Sequence, residues 1–201
     1  MEISAKAIKD LRDKTNAGIM DCKMALQESR GDMEKAITCL RKKGLAIAVK
    51  RAGRAMTEGV IQAYVHAGNK IGVLVEVNCE TDFVAKTEQF QEFAKNVAMH
   101  IAAANPLCLR REDVSPEVLE KEKEIYRAQA IEAGKPEKVL DKIVEGRVEK
   151  YYGEACLLEQ NYVRDPNLKI QDVLNDLIAK TGENISLRRF ARYHLGEGAG
   201  E

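Results

Sequence analysis

Chemistry is most concentrated where an alternating apolar run, Ile71 to Val77, gives way to a helical apolar stripe, Thr87 to Ala104. Between them stands Asn78-Cys79-Glu80-Thr81-Asp82-Phe83-Val84-Ala85-Lys86. Cys79 beside Glu80 could serve as a thiol nucleophile, but such a thiol needs a base within hydrogen-bond reach. None of His66, His100 and His194 is placed there by spacing, so a buried strand-end thiol is the plainer reading. Asp82 and Phe83 could instead press charge and bulk into a partner, because loops carried on rigid elements often hold binding groups. Against that, Asp82 could cap the next helical turn and Phe83 could fill the core. Spacing alone leaves both open.

No other stretch offers an active site. The chain has no G-x-x-x-x-G-K-[ST], no G-x-G-x-x-G and no G-x-S-x-G, the loops that cradle phosphates or carry a nucleophile. Its five cysteines, Cys22, Cys39, Cys79, Cys108 and Cys156, form no C-x-x-C, and the histidines fall at no zinc spacing. Reduced thiols, no cofactor and no metal are expected. Paired carboxylates occur only on charged helical faces, so the chain reads as a non-enzyme.

The elements that position the junction follow from apolar periodicity. Ser4 can cap a first helix with Ala5, Ile8 and Leu11 inward, ending at Thr15-Asn16-Ala17-Gly18. A second helix groups Met20, Met24, Ala25 and Leu26 on one side and stops at Ser29-Arg30-Gly31. Asp32 caps a third, with Met33, Ala36, Ile37 and Leu40 at helical spacing, closed by basic residues and Gly44. Leu45 to Thr57 reads as a basic helical linker. Val60 to Ala67 and Ile71 to Val77 read as a hairpin around Gly68-Asn69. In the stripe that follows, Phe90, Phe93, Ala94, Val97, Ala98 and Ile101 would cover the sheet. Ser115-Pro116 opens a charged helix to Ala133 with sparse apolar positions, Val118, Leu119 and Ile125. Gly134-Lys135-Pro136 turns the chain into a second through Tyr152, with Val139, Ile143, Val144 and Val148 on one side. Asn161 to Pro166 is loose, Lys169 to Lys180 helical, and Glu183 to Leu195 a third strand.

The expected fold class is α+β: a three-helix N-terminal module, a small three-stranded antiparallel sheet with helices on one face, and a projecting helical hairpin. The expected divisions are 1–54 for the module and basic linker, 55–111 with 161–201 for the sheet-and-helix core, and 112–160 for the hairpin. Acidic and basic residues balance at 32 each, yet the first 54 positions hold 13 basic against 7 acidic, leaving 19 against 25 elsewhere. Arg41 to Arg54 holds six basic residues and no acidic one. Without interleaved aromatics that run reads as a solvated helix, so no direct nucleic acid binding is expected. No apolar run nears the roughly 20 residues of a membrane span, and Met1-Glu2-Ile3-Ser4 lacks signal-peptide character; a cytoplasmic protein is expected.

Several motifs, in order along nearly the whole chain, resemble bacterial elongation factor Ts. They are Leu11-Arg12 with Thr15-Asn16-Ala17-Gly18-Ile19-Met20-Asp21-Cys22-Lys23, Val77 to Lys86, Ala98-Met99-His100, Val144-Glu145-Gly146-Arg147, and Thr181-Gly182-Glu183-Asn184-Ile185. The resemblance implies a guanine-nucleotide exchange factor for elongation factor Tu, with a ubiquitin-associated-like N-terminal fold. It implies that Thr81, Asp82, Phe83 and Val84 press against the nucleotide domain of Tu and dislocate its magnesium. Arg12, Ile19, Met20 and Lys23 would form a docking edge, with His66, Val163, Thr181 and Gly182 facing Tu elsewhere. Asn16 stands where the family usually has Gly, and Asn also tolerates positive φ. Short members cover a single sheet by pairing two chains, so a homodimer through the sheet is expected. Ala191 occupies the region where one relative type links its dimer by cysteine, so this dimer would hold by packing.

Overall fold

A computed structural model describes residues 3–15, 17–51 and 53–197. The turn residue Asn16 lies outside the described residues. The fold is α+β, as expected. Its three-stranded sheet has the order β1-β2-β5, from Glu58–Val65, Ile71–Cys79 and Ile185–His194. The chain divides into two compact units, Met1–Ile61 with Glu76–Ala94 and Asp172–Arg188, and Gln62–Val75 with Lys95–Gln171 and Arg189–Glu201.

In the first unit α1 (Ala5–Thr15), α2 (Ile19–Glu28) and α3 (Met33–Arg51) enclose a small core. Leu11, Cys22, Ala25, Leu26 and Ala36 are buried in it, flanked by Ile8, Met33, Ile37 and Leu40. The expected caps form: Ser4 Oγ accepts from Ala7 N at 3.2 Å, and Asp32 Oδ1 from Lys35 N at 3.0 Å. Two expectations are corrected. On α2 Ala25 and Leu26 are buried as expected and Cys22 joins them, while Met20 and Met24 are exposed. And Gly44 does not close the third helix, which runs on to Arg51. Gly44 is buried, and a methyl there would lie 3.5 Å from Ala179 Cβ on α8 (Ile170–Thr181). The glycine marks a close helix–helix approach, so its lack of a side chain signals packing rather than termination.

In the second unit the hairpin turn forms where expected, with Gly68 at φ 90° and Asn69 at φ 57° and His66 N donating to Ile71 O at 2.9 Å. Strand alternation buries Val73 and Val75 of β2, and β5 runs antiparallel to it, its end meeting Lys70 through Leu195 N at 2.8 Å. Helix α5 (Glu88–Ala104) buries Phe90, Phe93 and Ala94 in the first unit and Val97, Ala98 and Ile101 in the second. Helices α6 (Pro116–Glu132) and α7 (Glu137–Ala155) lie against each other. Their seam is Ala130, Leu140, Val144 and Val148, whereas Val118, Ile125 and Val139 are exposed. Sequence reading took apolar spacing for burial, but a two-helix hairpin has only one seam to fill. The stretch read as loose is a two-stranded ribbon, β3 (Asn161–Tyr162) and β4 (Asp165–Lys169). It is anchored at His100, which is fully buried: its Nδ1 accepts from Val163 N at 3.3 Å and its Nε2 donates to Gln160 Oε1 at 2.9 Å. Among the described residues no helix is long and apolar enough to cross a membrane.

Candidate partner-binding site at the strand–helix junction

β2 ends at Cys79, a fully buried side chain whose Sγ lies 3.1 Å from Thr81 O. Burial, then the nearby Glu183 carboxylate, pushes its thiol up to about 11, so it is protonated at neutral pH. The backbone then makes a single helical turn, α4, over Asp82–Ala85. Thr81 is its N-cap, with extended backbone and Oγ accepting from Val84 N at 3.3 Å. Val84 and Ala85 are buried, while the preceding two side chains face water.

This settles the two structural alternatives for Asp82 and Phe83. Asp82 does not cap the turn, because Thr81 does; its carboxylate accepts from Lys86 Nζ at 2.6 Å, one turn along. The hydrogen bond and charge of that lysine hold the Asp82 carboxyl below the usual range, and Asp82 in turn raises the Lys86 ammonium. Phe83 does not enter the core: at 78% exposure it stands further into solvent than any other large apolar side chain among the described residues. A phenyl ring left in water forgoes roughly 1.5–3 kcal/mol of burial. A single exposed apolar residue is ordinary, but this one sits beside a paired carboxylate on a turn whose other side is fixed in the core.

The turn is tied to the segment after α8. Glu183 accepts from Thr81 N at 3.1 Å and from Thr81 Oγ at 2.6 Å. In the reverse direction Glu80 accepts from Asn184 N at 2.6 Å and pairs with Arg54 at 3.3 Å. The Asn184 amide bond, followed by Arg54, lowers the Glu80 carboxyl. The Asn184 side chain, itself buried, donates to Arg54 O at 3.0 Å. Gly182, at φ 73°, turns the chain out of α8, and Thr181 Oγ both donates to Leu177 O at 2.9 Å and accepts from Glu183 N at 3.3 Å.

The remaining candidates lie as follows. Ile19 and Met20 are 54% and 64% exposed at the start of α2, with Lys23 exposed one turn on and Arg12 exposed on α1. These, with Thr81 to Val84 and Thr181-Gly182, belong to the first unit; His66 and Val163 belong to the second. His66 is exposed, its Nδ1 3.0 Å from Tyr64 OH, and Val163 is exposed above the His100 anchor. Sequence reasoning missed Lys86, although Asp82 and Lys86 stand four apart in a helix-opening stretch, a spacing that favours pairing. It also missed Glu80, Glu183 and Asn184 as partners, since nothing in sequence joins positions about a hundred apart.

The family model described as "Elongation factor TS" matches residues 2–197. Among curated relatives named elongation factor Ts, the chain is 63% identical to that of Geotalea daltonii over 198 residues, covering 98% of this chain and 92% of the relative. It is also 63% identical to that of Caldanaerobacter subterraneus over 196 residues, covering 98% of each. The relative from Desulfotalea psychrophila is 60% identical, with 98% of this chain and all of the relative covered.

Proposed function

The chain belongs to the elongation factor Ts family, and on that footing we propose that it binds elongation factor Tu carrying GDP and promotes release of the nucleotide. The observation that carries the reading is Phe83, held in water beside Asp82 on a turn whose Val84 and Ala85 are buried. An apolar ring and a carboxylate displayed together suit insertion between helices of a nucleotide domain. Bound magnesium bridges phosphate oxygens in such domains, so shifting it removes much of what holds GDP. The factor itself makes and breaks no covalent bond. By reciprocity, whatever factor by which it favours nucleotide-free Tu is the factor by which it weakens GDP, tenfold for each roughly 1.4 kcal/mol of coupling.

Arg12, Ile19, Met20 and Lys23 are the proposed docking edge, and the exposure of two large apolar residues beside two cations supports it. His66 and Val163 are proposed as further contacts. The deciding experiment follows fluorescent GDP leaving Tu, with the intact protein and with Asp82→Ala and Phe83→Ala. Release should accelerate with the intact protein and return most of the way to the spontaneous rate with either variant. Binding without acceleration would replace the exchange reading with that of a docking protein.

The homodimer is likewise a proposal. Alternation leaves Ala63, Val65 and Leu74 on the face opposite Val73 and Val75, with Tyr193 of β5 71% exposed. An apolar sheet face of this kind suits a self-complementary contact between two copies. Sedimentation should find a dimer at micromolar concentration; monomer alone would remove the idea.

A further inference from the structure

We propose that Glu183 and Glu80 are positioning residues that set the geometry from which Phe83 projects, and that the Thr181–Asn184 turn serves exchange through them rather than by touching the partner. The proposal rests on the exchange reading. A four-residue helix cannot hold itself, since one hydrogen-bonded turn does not repay its nucleation. Its shape must therefore come from its surroundings. A hydroxyl has one proton and two lone pairs: that of Thr81 gives its proton to Glu183 Oε1 and a lone pair to Val84 N. Glu183 Oε2 takes the Thr81 amide as well, so a single carboxylate fixes both the backbone and the side chain of the cap. Glu80 returns the tie through Asn184 N, so two carboxylates bridge the two segments in opposite senses.

On the other side of the bridge the Thr181 hydroxyl is already engaged within the chain. The Thr181 hydroxyl is committed to Leu177 O and Glu183 N, and Gly182 supplies the left-handed step that brings Glu183 round. The acceleration of GDP release by Glu183→Ala and Glu183→Gln would be compared at rising concentrations of factor. Amide hydrogen exchange at Thr81, Val84 and Asn184 would be read in the free protein. For Glu183→Ala the maximal release rate should fall about tenfold, the loss of one charge-assisted tie, with little change in half-saturating concentration. Those amides should exchange faster, and Glu183→Gln, which keeps one acceptor oxygen, should recover part of both. A raised half-saturating concentration at an unchanged maximal rate would mean direct contact and overturn the proposal. So would unchanged amide protection in Glu183→Ala. Failure of the unaltered protein to release GDP would instead refute the exchange reading, with the amide data still deciding the clamp.

Cys108 and Cys156 pair in an isolated parallel bridge with their sulfurs 3.6 Å apart. Cys108 N donates to Ala155 O at 3.2 Å and Leu157 N to Cys108 O at 2.9 Å. Neighbouring strands lie about 4.8 Å apart, within the roughly 4.4–6.8 Å that a disulfide spans between Cα atoms. We infer that these thiols form a reversible intramolecular disulfide on exposure to a disulfide oxidant such as oxidised glutathione. The half-buried Cys108, as thiolate, attacks one glutathione sulfur and expels a glutathione thiolate. Cys156 then loses its proton to solvent, attacks the Cys108 sulfur and expels the second. Two protein thiols give up two electrons and two protons, and the oxidant becomes two glutathione thiols. Burial pushes both thiols up, Cys156 to about 12, so the reaction is slow and quickens with pH.

The bond would close the loop that contains α6 and α7. Treatment with oxidised glutathione and peptide mapping by mass spectrometry should find Cys108 joined to Cys156. The thermal midpoint should rise by about 10 °C, and Cys108→Ser should abolish both effects. A stable glutathione adduct on Cys108, or pairing of other cysteines, would overturn the inference.

Discussion

His100 shows how a single side chain can be fixed in one protonation state by its partners. Val163 N donates to Nδ1, so that nitrogen carries no proton, and Nε2 donates to Gln160 Oε1. Gln160 Nε2 in turn donates to Glu154 O at 2.6 Å. Burial lowers the imidazole, only partly opposed by the Gln160 bond. The folded protein therefore holds its proton less tightly than the unfolded chain, whose histidine titrates near about 6.5. Stability from neutral His100 is complete above that value and is lost as pH falls below it. The imidazole resonance should titrate below the ordinary range, and the thermal midpoint should fall between neutral pH and pH near 5. An ordinary or raised titration would refute this. Phe83 is the opposite case. Because its ring stands in water, Phe83→Ala should change unfolding free energy by less than about 0.5 kcal/mol. Denaturant titration would check it, and a larger loss would mean that the ring packs after all.

At the scale of elements, β1 comes up close against β2 where β2 feeds the junction. A methyl on Gly59, at φ 147°, would fall 2.2 Å from Val77 O and 2.8 Å from Asn78 Cα. Both are backbone atoms of a paired strand and cannot swing aside. Gly59→Ala should cost about 2–4 kcal/mol, read from the denaturant midpoint, and a loss below about 0.5 kcal/mol would show that the strands part freely. Nothing in the sequence marked this glycine, because the strand was read to begin after it, at Val60. The hairpin turn, by contrast, was legible, since Gly68-Asn69 between apolar runs has few other uses. Caps Ser4 and Asp32 were legible for the same local reason. Gly44 and the β3–β4 ribbon were not, for their meaning lies in α8 and in His100, far away in sequence. The junction itself was legible as chemistry, whereas the exposure of Phe83 and the tie to Glu183 depend on tertiary neighbours.

For the molecule as a whole, the question is whether the N-terminal helices stand or fall with the rest. Among the described residues their core is drawn from residues 3–40: Leu11, Cys22, Ala25, Leu26 and Ala36 with their flanking side chains. Such a core, close to the smallest that folds, opens locally when one large residue is removed. Links to the remainder of the first unit lie beyond that core, where Gly44 of α3 meets Ala179 and where Arg54 engages Glu80 and Asn184. Leu26 is completely buried, so Leu26→Ala should cost about 2–5 kcal/mol. The loss should be confined: amide protection should collapse across α1, α2 and the first turns of α3 and persist in β2 and α5. On the proposed exchange reading, GDP release by Tu should then require more factor for half-saturation, since the proposed docking edge on α2 is lost, while the maximal rate assigned there to Phe83 should change little. Uniform loss of protection through the sheet would instead make the chain one cooperative unit, and the division expected at residue 54 would have no thermodynamic meaning.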